Sequence, residues 1–291
     1  MKNMQITIIG LGLIGGSLAL AFREAGQGSI RVTGMDADAL TREKAAELHL
    51  VDEVVADMCE SVQGADVVFL CTPVLQIVPL AKQIIPHLKE GAILTDVGST
   101  KQYIQEQLLP ILPGHIHYIG GHPMAGKEKS GVMAADKDLF RDRWYILMTG
   151  TQASLSAVAT LQELLQKTGA ILTTMDTDTH DRCTAVISHV PHVAAAALVH
   201  LLETCPDEES QHLVGGGFRD TTRIASSNAD MWADICMTNQ QAIRESLKKM
   251  QCMLERLDEN IQSGDRQAIH HFFHAAKLRR DGLLAAVVGN D

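Results

Sequence analysis

Residues 4–16 read MQITIIGLGLIGG, and this stretch decides the fold. The apolar run from Met4 to Ile9 suits a buried strand. It passes directly into Gly10, Gly12 and Gly15, a G-x-G-x-x-G spacing, and residues 17–25 then carry Leu18, Ala21 and Phe22 on one helical face. The spacing alone is a weak signal. Here it leaves a strand, opens a helix, and is followed by a second apolar stretch, Ile30 to Met35, that ends in Asp36. Gly10 permits the tight turn, Gly12 lets a pyrophosphate approach the backbone, and Gly15 lets helix and strand pack closely. The helix start offers its positive dipole end to phosphate. Asp36 stands where an acid holds ribose hydroxyls. The expected cofactor set is Gly10, Gly12, Leu13, Ile14, Gly15 and Asp36, joined by Thr72 at a later strand end, and the expected cofactor is NAD.

Working outward, strand and helix patterns alternate. Asp66 to Cys71 reads as a strand, and Val74 to Leu88 as a helix interrupted near Pro79 and Pro86. Ala92 to Val97 is a strand, Lys101 to Leu109 a helix, and His117 to Gly121 a strand. Trp144 to Met148, Leu155 to Lys167 and Ala170 to Thr174 extend the pattern. Such βα alternation implies a mostly parallel, doubly wound α/β sheet of Rossmann type with helices on both faces. From residue 176 the pattern is helical only. The expected organisation is a nucleotide-binding domain over 1–175 and an all-α domain over 176–291.

Composition agrees with a globular protein. Of 291 residues, 46% are hydrophobic and 21% charged, so a large core is available. The net charge of −10 argues against nucleic acid and anionic membrane as partners. An anionic substrate would then need individual Arg or Lys residues. Six scattered cysteines without a C-x-x-C pair fit reduced thiols and a cytoplasmic location. No apolar run is expected to reach membrane-span length. Lys2 and the apolar run to Phe22 have the outline of a signal peptide, but the glycine motif and the first strand would be lost on cleavage.

Ligands in parallel sheets sit beyond the carboxyl ends of strands. Three polar loops fall there: Cys71-Thr72-Pro73, Asp96 to Lys101, and Gly120-Gly121-His122-Pro123. His122 is presented between glycines and a proline, with Lys127, Glu128 and Lys129 following. Ser99 precedes a helix, so an N-cap and a partner for His122 are both open. In the helical half, Thr179 to Glu203 is apolar at helical spacing except for Ser188, His189 and His192, and Pro191 is expected to kink it. Each histidine reads either as a satisfied core residue or as a pocket residue. Gly215 to Arg223 (GGGFRDTTR) is expected not to be an ordinary helix but a flexible approach to Arg219 and Arg223. Thr238 to Gly264 reads as one amphipathic helix. Ile243, Leu247, Met250, Leu254, Leu257 and Ile261 form a heptad seam for a helix of this chain or of a second one. His270 and His274 have metal-compatible spacing but no third ligand nearby, and no metal is expected.

Together these residues resemble the prephenate dehydrogenase family, with its arogenate and cyclohexadienyl relatives, over nearly the whole chain. The resemblance rests on five blocks. They are the glycine motif with Asp36, Asp96 to Lys101, Gly121 to Gly131, Ser188 to His192, and Gly216 to Arg223 with Trp232. It implies NAD-dependent oxidative decarboxylation of prephenate to 4-hydroxyphenylpyruvate in tyrosine biosynthesis, by a homodimer joined through its helical domain. It further implies that His122 is the base, that Ser99 holds its other ring nitrogen, and that Arg223 binds a substrate carboxylate. His192, His189, Glu128, Trp232 and Asp220 complete the implied substrate site. Arogenate as substrate, another two-domain dehydrogenase, and a non-catalytic NAD-binding regulator remain the alternatives.

Asp36 and Asp38 would repel a 2′-phosphate, and the nearest arginine is Arg42. Turnover at matched concentrations should therefore be faster with NAD+ than with NADP+. Equal or faster NADP+ turnover would contradict this reading of Asp36.

Overall fold

The computed structural model describes residues 3–127, 129–207 and 209–288. It opens with β1 (Met4–Ile9), α1 (Leu13–Gly26), β2 (Ile30–Met35), α2 (Ala39–Glu47), β3 (Glu53–Val54) and α3 (Met58–Ser61). Then come β4 (Val67–Leu70), α4 (Val74–Ile84), β5 (Ile93–Asp96), α5 (Gln102–Leu108), β6 (His117–Pro123) and β7 (Trp144–Met148). They are followed by α6 (Leu155–Gln166), β8 (Ile171–Met175), α7 (Thr177–Thr184), α8 (Val190–Glu203) and α9 (Glu209–His212). Last are α10 (Gly216–Thr222), α11 (Ala229–Thr238), α12 (Gln240–Gln262) and α13 (Arg266–Val288).

The strands form one sheet in the order β3-β2-β1-β4-β5-β6-β7-β8, parallel except for β6 against β7. Strand alternation divides the core between its faces. Ile6 and Ile8 pack with Leu18 and Phe22 of α1 and Leu161 of α6. Ile9, Val68 and Leu70 pack with Ile77 and Ala81 of α4 and Ile104 of α5. The chain reverses order after β3, returning to place β4 beside β1, and that reversal creates a crevice at the carboxyl ends.

Register places the candidate residues on one rim. Ile9 pairs with Met35 and Leu70, Leu70 with Asp96, and Asp96 with Gly120. Gly10, Asp36, Thr72, Ser99 and His122 therefore all lie just past the same line. The strand carrying His122 is longer than expected. It continues through Pro123, leaving β5 and pairing Gly121 to Pro123 antiparallel with β7, so His122 is a strand residue opposite Ile146.

Three other expectations are corrected. Residues 216–222 are helical despite their glycines; Gly215 caps α10 in an extended conformation, and Gly216 and Gly217 sit in its first turn, where glycine costs least. The break near Pro191 takes the form of a π turn at Ala185–His189. Proline has no N–H and its ring crowds the carbonyl four residues back, which widens the preceding turn. Through that turn Thr177–Glu203 is a continuous 27-residue helix, long and apolar enough by length and composition to cross a membrane. It nevertheless carries His180, Asp181 and His189, all buried in the fold and hydrogen-bonded.

The chain divides into two compact units, Met1–Gln240 and Gln241–Asp291. Helices α7 to α11 belong to the first, where α7 meets α5 and α11 meets α4. In the second unit the seam on α12 is uneven: Leu254 and Ile261 are 52% and 58% exposed.

Candidate active site

The nucleotide end is built by the β1–α1 turn. Gly10 has φ +96°, and a Cβ there would lie 2.5 Å from the Cys71 carbonyl oxygen. At Gly15 a Cβ would meet the Gly10 oxygen at 1.9 Å, so no side chain is possible without moving the turn. Gly12 differs: a Cβ there would meet nothing within 4 Å. Its bare backbone borders open space ahead of Leu13 and Ile14, and α1 has no acidic residue in its first turn to compete with phosphate. The Asp36 carboxylate accepts the Leu11 N–H at 2.8 Å and the Asp38 N–H at 2.9 Å, which fixes it beside the turn. Thr72 Oγ1 is buried without a hydrogen-bond partner among the described residues. An open cradle, a fixed acid and an orphaned hydroxyl suit a dinucleotide.

Beyond the rim, His122 is 8% exposed. Its Nδ1 lies 2.8 Å from His180 Nε2, and His180 Nδ1 lies 2.7 Å from Asp181 Oδ1. Burial, reinforced by the positive charge that His180, Lys101 and His189 carry when protonated, holds the His122 imidazole well below its usual pKa. It is therefore neutral, with a lone pair available, at neutral pH. Lys101 is itself buried and pairs with Asp96, while its Nζ also donates to the Gly121 carbonyl at 2.7 Å. Asp96 further accepts from Gly98 N and Tyr118 Oη, both at 2.8 Å.

Asp181 and Asn239 extend the cluster. Asn239 Nδ2 donates to the Asp181 carbonyl at 2.8 Å and lies 3.2 Å from His189 Nδ1. The amide can only donate from that nitrogen, so His189 Nδ1 accepts and its Nε2 carries the hydrogen. That Nε2–H and the Trp232 Nε1–H are both buried without partners among the described residues. His192 stacks on Trp232 at 3.9 Å between centroids, and His189 meets the same ring edge-on at 5.9 Å. His192 Nδ1 donates to the Ser188 carbonyl at 2.8 Å, which leaves its Nε2 as an acceptor. Burial first, and then the nearby Arg223 charge, lower the His192 pKa. Arg223 opens the 3₁₀ turn after α10 and is exposed.

The structure thus brings His122, His189, His192, Trp232 and Arg223 into one neighbourhood. Ser99 is half-buried on the same rim, but no hydrogen bond joins it to His122 among the described residues; His180 holds the Nδ1 position instead. Nor does Ser99 cap the following helix. The Asp181 carboxylate accepts from Lys101 N at 2.9 Å and Gln102 N at 3.0 Å in that role. Asp220 is exposed on α10 with no hydrogen bond or ion pair among the described residues. Glu128 lies outside the described residues.

Residues 18–174 match the nucleotide-binding domain of prephenate dehydrogenase, and residues 176–275 match the dimerization domain of prephenate dehydrogenase. The chain is 38% identical over 290 residues to the prephenate dehydrogenase of Bacillus subtilis (strain 168), covering 97% of this chain and 77% of that one. The chain belongs to the prephenate dehydrogenase family. Two solved structures of related enzymes share its fold. Synechocystis arogenate dehydrogenase is 33% identical with a TM-score of 0.83, over 96% of this chain and 100% of that one. A. aeolicus prephenate dehydrogenase, in complex with hydroxyphenyl propionate and NAD+, is 29% identical with a TM-score of 0.90, over 97% and 99%.

For this member of the prephenate dehydrogenase family, sequence reasoning missed His180, Asp181, Asn239 and the buried Lys101–Asp96 pair. A signal existed for two of them: His180 and Asp181 are adjacent polar residues entering the most apolar helix of the chain. Asn239 gave none, because its role depends on how α11 lies against α7.

Burial lowers the pKa of His189 from 6.5 to about 4, and the nearby imidazoles add to the effect against the opposing pull of Asp181. The folded protein thus prefers neutral His189. As pH falls from about 6.5 towards 4 the unfolded chain protonates first, and stability drops by up to about 3 kcal/mol from this group. His189→Gln should flatten the decline in urea midpoint over that range. An unchanged decline would contradict the burial assigned to His189.

Proposed function

We propose that the protein oxidises and decarboxylates prephenate at the cluster on β6 and α7–α11, giving 4-hydroxyphenylpyruvate, CO2 and NADH. The observation that carries this reading is a buried, neutral imidazole on the rim that bears the nucleotide turn, within electrostatic reach of His189, which leads to the aromatic–imidazole pocket beside Arg223. Residues 1–175 supply the cofactor side, and residues 176–291 supply the substrate helices and the dimer contact. The exposed Leu254 and Ile261 on α12 support a partner helix from a second copy. Six free cysteines suit a cytoplasmic enzyme.

NAD+ is the hydride acceptor when bound, held by the backbone of Gly10 to Gly15, by Asp36 and by Thr72. Chemistry begins at the ring carbon that bears the substrate hydroxyl. As hydride leaves it, His122 Nε2 accepts the hydroxyl proton and a ring ketone forms. The carbon–carboxylate bond then breaks, and its electron pair aromatises the ring as CO2 departs. The ketone oxygen becomes a phenolate, to which His122 returns the proton. No net proton is consumed, so one imidazole suffices. Arg223 holds the ring carboxylate by a charge-assisted contact. The free N–H groups of His189 and Trp232 would be satisfied by substrate oxygens, and His192 lines the same pocket. Ser99 and Asp220 are proposed to help position substrate, and Glu128 belongs to the same proposed set.

Incubation with NAD+ and either prephenate or arogenate, followed by NADH absorbance, tests the reading; NADH with arogenate alone would move the substrate to arogenate, and no NADH with either would overturn the reading. His122→Asn should lower kcat roughly 100-fold or more with KM little changed. Arg223→Ala should instead raise KM roughly tenfold or more, because the carboxylate contact exists in ground and transition states alike. Near-native kcat in His122→Asn would remove the base assignment. An unchanged KM in Arg223→Ala would move the carboxylate contact to Arg219 or a lysine of residues 127–129.

A further inference from the structure

His180 and Asp181 fall outside the roles assigned so far, yet both are buried and both lead to His122. His180 has no exposed surface and Asp181 is 2% exposed. Asp181 is held on three sides. Its carboxylate accepts two backbone N–H groups, from Lys101 and Gln102, and its own carbonyl accepts from Asn239. Both of its oxygens face N–H donors, so the side chain acts there as an acceptor.

That fixes the protons in order. His180 Nδ1, 2.7 Å from Asp181 Oδ1, must carry its hydrogen. His180 Nε2 then has a lone pair, and it lies 2.8 Å from His122 Nδ1. His122 must therefore donate from Nδ1, and its Nε2 is the bare nitrogen. One buried carboxylate thus sets the tautomer of an imidazole it never touches. Orientation of a histidine by the hydrogen bond on its other nitrogen is a general device. Here it runs through a second imidazole.

We propose that His180 and Asp181 form a positioning relay for His122. The proposal rests on the reading of His122 as the base. When the substrate O–H bond breaks, a bond forms from the proton to His122 Nε2. The His122 Nδ1–H bond then breaks, and that proton bonds to His180 Nε2. Positive charge comes to rest on His180, 2.7 Å from the Asp181 carboxylate, rather than on His122 beside the Lys101 ammonium. The reverse shift returns a proton through His122 Nε2 to the phenolate oxygen. Both imidazoles end neutral, so the relay is ready for another turnover.

Asp181→Asn with its NH2 in the place of Oδ1 turns an acceptor into a donor towards His180 Nδ1, at the cost of the Lys101 N–H contact that the same oxygen accepts. The tautomers of His180 and His122 then reverse, and His122 Nε2 carries a hydrogen. His180→Gln leaves the Asp181 cap intact and offers a carbonyl to His122 Nδ1, but it cannot take a proton. The test measures kcat, KM for prephenate and thermal midpoint for both variants, alone and combined with His122→Asn. The expected result is a roughly 100-fold fall in kcat for Asp181→Asn and roughly tenfold for His180→Gln. KM should stay within about threefold. The midpoint should barely move for His180→Gln and should fall for Asp181→Asn, whose NH2 faces a backbone N–H of the α5 cap. Neither change should lower kcat further in the His122→Asn background, because the relay acts only through His122. A merely structural role would add its loss in that background, and for His180→Gln it would shift the midpoint. The relay is overturned if both single variants keep near-native kcat while His122→Asn has lost its activity, or if the losses are additive. Near-native activity of His122→Asn itself would instead overturn the base assignment.

Discussion

The Asp181 carboxylate is the contact on which the site depends. It caps α5 from another element, binding two N–H groups that no residue of the α5 approach satisfies. The same side chain fixes His180, and its backbone carbonyl takes Asn239, which in turn fixes His189. One residue therefore ties the β5–α5 loop to α7 and to the end of α11. Because each hydrogen bond has only one chemically allowed direction, the network also settles which nitrogen of each imidazole is bare.

A second buried charge supports the rim from below. Lys101 and Asp96 are withdrawn from water, which costs several kcal/mol per ion unless every remaining donor and acceptor is met. Here Asp96 also receives the Gly98 amide and the Tyr118 hydroxyl, and Lys101 also reaches the Gly121 carbonyl. That last contact grips the strand one residue before His122. Gly121 itself cannot be larger, since a Cβ would lie 2.8 Å from the Asp96 carbonyl oxygen. The pair thus fixes β6 where it leaves one neighbour for the other, and the imidazole emerges from a rigid stretch. Its nearby positive charge also helps keep His122 neutral.

Much of this was legible in the chain alone. The strand ending in glycines at motif spacing, the acid after the second strand, and the short apolar runs alternating with helical patterns are local signals, and each corresponds to an observed element. His122, His189, His192 and Arg223 stood out as polar groups in apolar or glycine-rich surroundings, whereas Trp232 entered only through the family resemblance. Long-range contacts were not visible. Ser99 looked like the partner of His122, being on the neighbouring loop; the actual partner comes from α7, 58 residues away in sequence. The GGGFRD stretch looked too rich in glycine for a helix, yet glycine at an N-terminal turn loses little that packing cannot restore. Asp181 was hidden by ordinariness: it follows Asp176 and Asp178 at the start of α7 as one acid among three, and its function comes from capping a different helix.

The central claim is that Asp181 and His180 leave Nε2 of His122 bare in the folded protein. It is tested most directly by ¹⁵N NMR of histidine-labelled protein at neutral pH, with His122 assigned by comparison with His122→Asn. The account predicts a neutral ring with a pyrrole-type, hydrogen-bearing Nδ1 and a pyridine-type Nε2. A His122 ring with hydrogen on Nε2, or one already protonated at neutral pH, would contradict it.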